Sequence, residues 1–260
     1  MTISNLLIAV LQGLTKYPKI GTTLASFFGS LEVPILEFRR IFDKFILPGF
    51  YNSTIPLFNT IYGSRIIPLN INLQHTKQIL ATEEISEIID RMPIVAIGYC
   101  YCRSTYQKCD NSVWTCIHIG MGKRLKDLSN KIPMKTITKE QAKKIVSKAD
   151  KQGLVHQLIT APTSEYFYVI CNCCPCCCIM LKAIKQYGKL PSIIASNFIS
   201  HQDGDKCTDC GKCINRCYFG ARYFSDNKLF YDSSKCLGCG LCISVCPEDV
   251  IRLLRRNKTQ

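Results

Sequence analysis

Eight cysteines near the C-terminus fall in a doubled pattern. Cys207, Cys210, Cys213 and Cys217 are spaced C-x2-C-x2-C-x3-C. Cys236, Cys239, Cys242 and Cys246 repeat that spacing 29 residues later, with Pro247 behind them. Thiolates bind iron, and tetrahedral iron accepts four sulfurs, so three cysteines in a tight loop can reach three irons of one cube. Zinc is a weaker match, because its four ligands usually come as two separated pairs. Disulfides are weaker still. The start Met1-Thr2-Ile3-Ser4 lacks the basic residues and the cleavage site of a secretory signal, so a reducing cytoplasm is expected. Eighteen cysteines point further, to an anaerobe, since thiolates and exposed clusters oxidise readily.

The doubled run resembles the bacterial-type ferredoxins with two [4Fe-4S] clusters. In that family the fourth cysteine of each run ligates the other cluster. The resemblance therefore implies one cluster on Cys207, Cys210, Cys213 and Cys246, and a second on Cys236, Cys239, Cys242 and Cys217. One position departs from the family pattern: Tyr218 follows Cys217 where proline is usual. Proline there ligates nothing, so both clusters are expected.

Ten more cysteines lie upstream. The apolar run Ile94 to Tyr99 predicts a buried strand that ends at Cys100-Tyr101-Cys102-Arg103, with Cys109 and Cys116 beyond. A second strand, Tyr166 to Ile170, runs into Cys171-Asn172-Cys173-Cys174-Pro175-Cys176-Cys177-Cys178. Between them lies a helix over Lys139 to Gln152, with Thr138 and Gln141 as a capping box and Gly153 as its stop. This order predicts two parallel, neighbouring strands whose C-terminal ends share one sheet edge. Residues two apart in an extended chain face the same way, so each C-x-C pair is expected to aim both sulfurs at one site. Pro175 is expected to open a helix carrying Cys176 to Cys178 in its first turn, where thiol pKa values fall. The candidate ligands are Cys100, Cys102, Cys109, Cys116, Cys171, Cys173, Cys174, Cys176 and Cys177, with His118 and His156 as nitrogen alternatives. Cys178 fits a small buried hydrophobe. One or two iron-sulfur clusters fit the ten cysteines, and zinc stays open because the spacing is no standard cluster motif.

From about Arg91 onward the chain resembles a group of iron-sulfur proteins of anaerobic archaea and bacteria. They carry Cys-Tyr-Cys-Arg, Cys-Asp as at 109–110, Thr-Cys as at 115–116, Gly-Leu-Val-His as at 153–156, the cysteine run at 171–178 and a terminal two-cluster module. The resemblance implies iron-sulfur binding and electron transfer. It brings no settled reaction.

The elements that must position these residues predict an α+β protein. It has a helical N-terminal region (1–75), a small α/β cysteine-rich domain (76–200) and a ferredoxin-like dicluster module (201–260). The N-terminal helices, over 3–14 and Pro34 to Leu47, are amphipathic and suit either a core or a membrane surface; neither apolar run reaches the ~20 residues a span needs. Residues 49–75 are turn-rich. Thr82 is a plausible N-cap for a helix over Glu83 to Met92, and a last strand is expected from Ser192 to Phe198. The formal charge of +14 falls to about +10 with two clusters bound and about +6 with four, at about −2 each. The excess favours acidic redox partners or a membrane surface. The scattered lysines argue against nucleic acid. With no G-x-G-x-x-G fingerprint and no P-loop, the first reading is an electron carrier of the cytoplasm or its membrane periphery. The alternative is a ferredoxin-fused oxidoreductase acting on a disulfide or sulfur compound at the upstream cysteines. A zinc-stapled docking domain is a third.

Overall fold

The computed structural model describes residues 63–66, 85–119, 133–160, 167–187 and 193–256. The helices expected over 3–14 and 34–47, and Thr82, lie outside them. Among the described residues, no helix is long and apolar enough to cross a membrane.

The upstream half is one seven-stranded sheet with helices packed against both faces. Its strands are β1 (Gly63–Ile66), β2 (Val95–Tyr99), β3 (Trp114–Ile119), β4 (Met134–Thr136), β5 (Val155–Thr160), β6 (Phe167–Cys173) and β7 (Ile193–Ile194), in spatial order β4-β2-β3-β6-β5-β1-β7. Every pairing is antiparallel except the short β1–β7 contact. The expected β2–β6 adjacency is therefore corrected. β3 lies between them, antiparallel to both, so β2 and β6 run in the same direction without touching. Two strands outside the expected set, β3 and β5, carry Cys116 and His156. β1 comes from the stretch read as turns.

Helix α1 (Ile85–Arg91) buries Ile85, Ile88 and Ile89 at i, i+3, i+4 spacing. Helix α2 (Tyr101–Tyr106) follows β2 directly. Helix α3 (Lys139–Lys151) is built as its sequence predicts. Thr138 accepts a hydrogen bond from the Gln141 N–H, and the Gln141 side chain accepts from the Thr138 N–H. Gly153 then ends it at φ +79. Ala142 and Val146 of α3, with α1, pack on Val95, Ile117, Ile119, Leu158 and Ile170 of the sheet. Each fully buried isoleucine there contributes about 1.5–3 kcal/mol. Side chains alternate across a strand, so this packing settles the other face too. On β3 and β6, the residues one removed from Ile117 and Ile170 include Cys116, Val169 and Cys171, which cluster on the opposite face. One face of the sheet is the core, and the other is lined with thiols.

The cysteine run after β6 differs from expectation. Helix α4 begins at Ile179 and runs to Tyr187. Cys176 and Cys177 lie in the turn before it, closed by the Cys178 N–H on the Cys174 carbonyl. Pro175 therefore opens a turn, and no first helical turn presents these thiols. The expected strand from Ser192 to Phe198 is replaced by β7 and by β8 (Phe198–Gln202), which belongs to the C-terminal module.

That module is an intertwined repeat. Helix α5 (Lys212–Arg216) lies in its first half. β8 pairs with β11 (Ile251–Arg255), and β9 (Arg222–Ser225) with β10 (Lys228–Tyr231), both antiparallel. The 29-residue offset of the cysteines extends to the backbone. Positive φ occurs at Asp209 and Gly238, Gly211 and Gly240, and Gly220 and Asp249. Short 3-10 turns occupy Gly204–Lys206 and Ser233–Lys235. The Cys217 N–H donates to the Ile214 carbonyl as the Cys246 N–H donates to Ile243. Each half gives one strand to each ribbon.

Ile89 is fully buried between the helices and the sheet. Replacing it with alanine should lower the unfolding free energy by about 2–5 kcal/mol, read by urea unfolding of the holoprotein under argon.

Candidate metal centres

The interleaving decides where the fourth cysteines go. Cys246 precedes β11, which pairs with β8 of the first half; Cys217 precedes β9, which pairs with β10 of the second. Two clefts result. One, with about 300 Å³ of empty space, is lined by Cys207, Cys210, Cys213 and Cys246, with Leu229, Val250 and Ile251. The other, about 330 Å³, is lined by Cys217, Cys236, Cys239 and Cys242, with Ala221, Leu237 and Gly240. Soft thiols, four to a cleft with apolar walls, suit an iron-sulfur cluster.

The loops are shaped to give sulfur backbone donors. The Gly238 N–H donates to the Cys236 Sγ at 3.4 Å. Gly238 has φ +70, and a Cβ there would stand 2.1 Å from the Phe198 carbonyl oxygen, so only glycine fits. Arg222 is 2 % exposed, lines the second cleft and lies over the Tyr231 ring at 4.8 Å. It donates to the Ser200 hydroxyl and the Gln202 side chain, and Ser200 in turn contacts the Cys242 Sγ at 3.5 Å. Burial pushes the thiols of Cys213, Cys239 and Cys242 up, while the Arg222 charge opposes this at Cys213 and Cys242. One buried cation thus acts on both clefts.

Residues 199–253 match the 4Fe-4S dicluster domain family. No curated protein matches the chain. The matched span contains all eight cysteines of the clefts and none of the ten upstream.

The upstream cysteines divide into two groups. Six form a file, four of them buried and Cys102 and Cys171 half-buried: Cys100 contacts Cys116, Cys116 contacts Cys171, Cys171 contacts Cys173, Cys173 contacts Cys178, and Cys178 contacts Cys102. Cys171 and Cys173 face one way along β6, as their spacing predicts. Cys100 and Cys102 join one cluster too, but not as an extended pair. Cys102 lies in α2 rather than in an extended segment, and it reaches Cys178 while Cys100 reaches Cys116. Cys178, read from sequence as a hydrophobe, is a full member of the file.

The second group is Cys109, Cys174, Cys176 and Cys177, whose sulfurs all lie within 4.8 Å of one another. At Cys109 burial pushes the thiol up, but the Asn111 backbone and side-chain donors, with Cys176 and Cys174, outweigh it and bring the pKa to about 6. His156 is in neither group. Its Nδ1 lies 2.6 Å from Asn172 Oδ1, and its Nε2 3.8 Å from Asp150. Asn172 also donates to the Thr115 carbonyl at 2.5 Å, and its own carbonyl accepts from Arg103 at 3.0 Å. His156 therefore anchors the strand ends that carry the thiols. His118 is buried on β3, its ring against Gly98.

The file adjoins the module. Cys173 and Cys178 share an apolar cluster with Leu237 and Leu241, against which Cys239, Phe219 and Tyr218 pack. Tyr218, the residue that departs from the ferredoxin pattern, sits at this junction. Its neighbour Arg216 donates to the Lys151 carbonyl at 2.9 Å, and charges on both Cys239 and Cys174 bear on its hydroxyl.

The Asn172 side chain joins β5 and β3 through buried groups, so truncating it strands His156 Nδ1 and the Thr115 carbonyl at once. Asn172→Ala should cost about 2–4 kcal/mol in denaturant unfolding. Asn172→Asp should cost no less, because it loses the donor to Thr115.

Proposed function

We propose that the chain is an iron-sulfur electron-transfer protein. In this reading two [4Fe-4S] clusters sit on Cys207, Cys210, Cys213, Cys246 and on Cys236, Cys239, Cys242, Cys217. The six-cysteine file holds a further iron-sulfur centre that extends the relay. The observation that carries it is the junction: the file's Cys173 and Cys178 pack into the same apolar cluster as Cys239 of the second cleft. Clusters bound there would be neighbours in a dry medium, which suits single-electron steps between them.

The residues have distinct parts. The cysteines hold the clusters. Backbone N–H groups such as that of Gly238 stabilise charge on sulfur. Arg222 supplies a buried positive charge that favours the reduced, more negative state of both clusters. Leu237 and Leu241 exclude water from the junction. The basic excess suits acidic protein partners, and the cytoplasm suits thiols in this number. The division at about 75 and 200 is retained as the domain organisation, with β8 assigned to the module. The oxidoreductase alternative rests on ten upstream cysteines, more than a simple relay needs, and on reactive thiols in a helix's first turn; the second ground is weakened, because Cys176 and Cys177 lie before α4.

Iron and acid-labile sulfide should reach about 12 of each per chain on protein purified without oxygen: eight in the module and four in the file. About eight iron would remove the upstream centre, and well below eight would remove the dicluster reading. Arg222→Met should leave the iron count unchanged and lower the midpoint potentials of both module clusters by roughly tens of millivolts in an EPR-monitored titration. Unchanged potentials would show that Arg222 does not set them.

A further inference from the structure

The quartet of Cys109, Cys174, Cys176 and Cys177 differs from every other cysteine group in scale. Cys109 Sγ lies 3.6 Å from Cys174 Sγ and 3.9 Å from Cys177 Sγ, and Cys176 Sγ lies 3.8 Å from Cys177 Sγ. Four sulfurs at about 2.3 Å from one ion form a tetrahedron with edges of about 3.8 Å. A disulfide would instead need ~2.05 Å. A cube puts each thiolate on a different iron and so spreads the four sulfurs further apart. The module provides the comparison within the same chain. Among the described residues, the upstream quartet is the group whose sulfurs all fall within 4.8 Å, and the cysteines of the two clefts do not form such a group.

The surroundings treat these sulfurs as anions. The Lys108 N–H donates to the Cys177 Sγ at 3.4 Å, Asn111 Nδ2 to the Cys109 Sγ at 3.5 Å, and Arg103 Nη2 to the Cys174 Sγ at 3.5 Å. Arg103 is 1 % exposed, and its other acceptors are the neutral carbonyls of Ser112 and Asn172. Among the described residues no carboxylate pairs with it. A buried guanidinium needs a counter-charge. Four thiolates on one divalent ion carry a net −2, which supplies it.

Local structure delivers the four ligands. The turn over Cys174-Pro175-Cys176-Cys177 gathers three of them. The left-handed Gln107, at φ 47, ends α2 and turns the chain so that Cys109 meets that turn. Cys174 and Cys177 pack on Ala149 and Leu154, at the end of α3 and just beyond it, with Tyr106 of α2 alongside.

We propose that Cys109, Cys174, Cys176 and Cys177 hold a single tetrahedral metal ion, separate from every iron-sulfur cluster. The ion is zinc or a lone iron, since both take four thiolates in this geometry. It ties the α2–β3 loop to the β6–α4 turn. In doing so it fixes the two arms that present the six-cysteine file.

The test uses the full chain purified without oxygen. X-ray absorption at the zinc edge should find one ion per chain with four sulfurs at about 2.3 Å and no metal neighbour, or, if the ion is iron, the spectrum of the oxidised chain should show one high-spin ferric tetrathiolate beside the clusters. Metal analysis of a Cys109→Ser, Cys177→Ser variant should lose that one ion and keep about eight iron in the module. A zinc edge or a lone ferric tetrathiolate spectrum each supports the proposal and decides between the two metals. Loss of about four iron in the variant would overturn it, as would a wild-type chain whose four thiols all alkylate in the folded state. If the variant fails to fold, the absorption spectrum of the wild-type chain still decides. Failure of the relay reading would appear separately, in the wild-type chain, as a total of only about eight iron beside the single ion, or fewer.

Discussion

A buried thiolate is stable only against a cation, and that requirement organises this molecule. Eighteen cysteines lie in clefts, in a file and in a turn, most of them partly or fully buried. Left as free thiols they would be neutral, and burial pushes several of them further that way. Metal binding removes the protons and concentrates charge on sulfur. The protein answers with cations and donors placed close by. Arg222 stands beside one cleft and acts on both, Arg103 sits against the Cys109 quartet, and backbone N–H groups point at the Cys236 and Cys177 sulfurs. Buried arginines without carboxylate partners are costly unless something else in the interior is negative. The sulfurs beside them would supply that negative charge once they hold the metals proposed above.

The second organising feature is continuity between the halves. A ferredoxin-like repeat can stand alone because its two halves interleave. Here one face of it is closed by the upstream sheet. Leu237 and Leu241 leave the module's surface to pack with Val155, Cys173 and Leu181. Tyr218 replaces a turn-setting proline with a large side chain at this contact. The substitution exchanges local stiffness for a join between two cysteine centres. That contact ties the module to the upstream cysteine sheet.

Much of this was legible in the sequence, and the misses have physical reasons. The 29-residue offset of the cysteines is the same offset followed by the positive-φ residues and the 3-10 turns, so spacing alone carried the module's geometry. The α3 capping box was equally local and equally readable. The strand order was not. β3 and β5 each carry buried polar residues, Thr115 and His118 in one and His156 and Gln157 in the other, that interrupt the apolar pattern expected of a core strand. Missing β3 made β2 and β6 look adjacent. Cys100 and Cys102 looked like an extended pair because nothing in Cys-Tyr-Cys-Arg signals a helix as short as α2. The division of ten cysteines into a quartet and a file of six depends on which loop reaches which turn. Sequence spacing does not encode that.

The most direct test of the account is the EPR spectrum of the fully reduced chain, compared with that of a Cys173→Ser variant. The account predicts mutually broadened signals from more than two reduced clusters in the wild-type chain. In the variant the upstream contribution should be lost and the second module cluster sharpened. A wild-type spectrum that contains only the two module clusters, and that does not change in the variant, would contradict it.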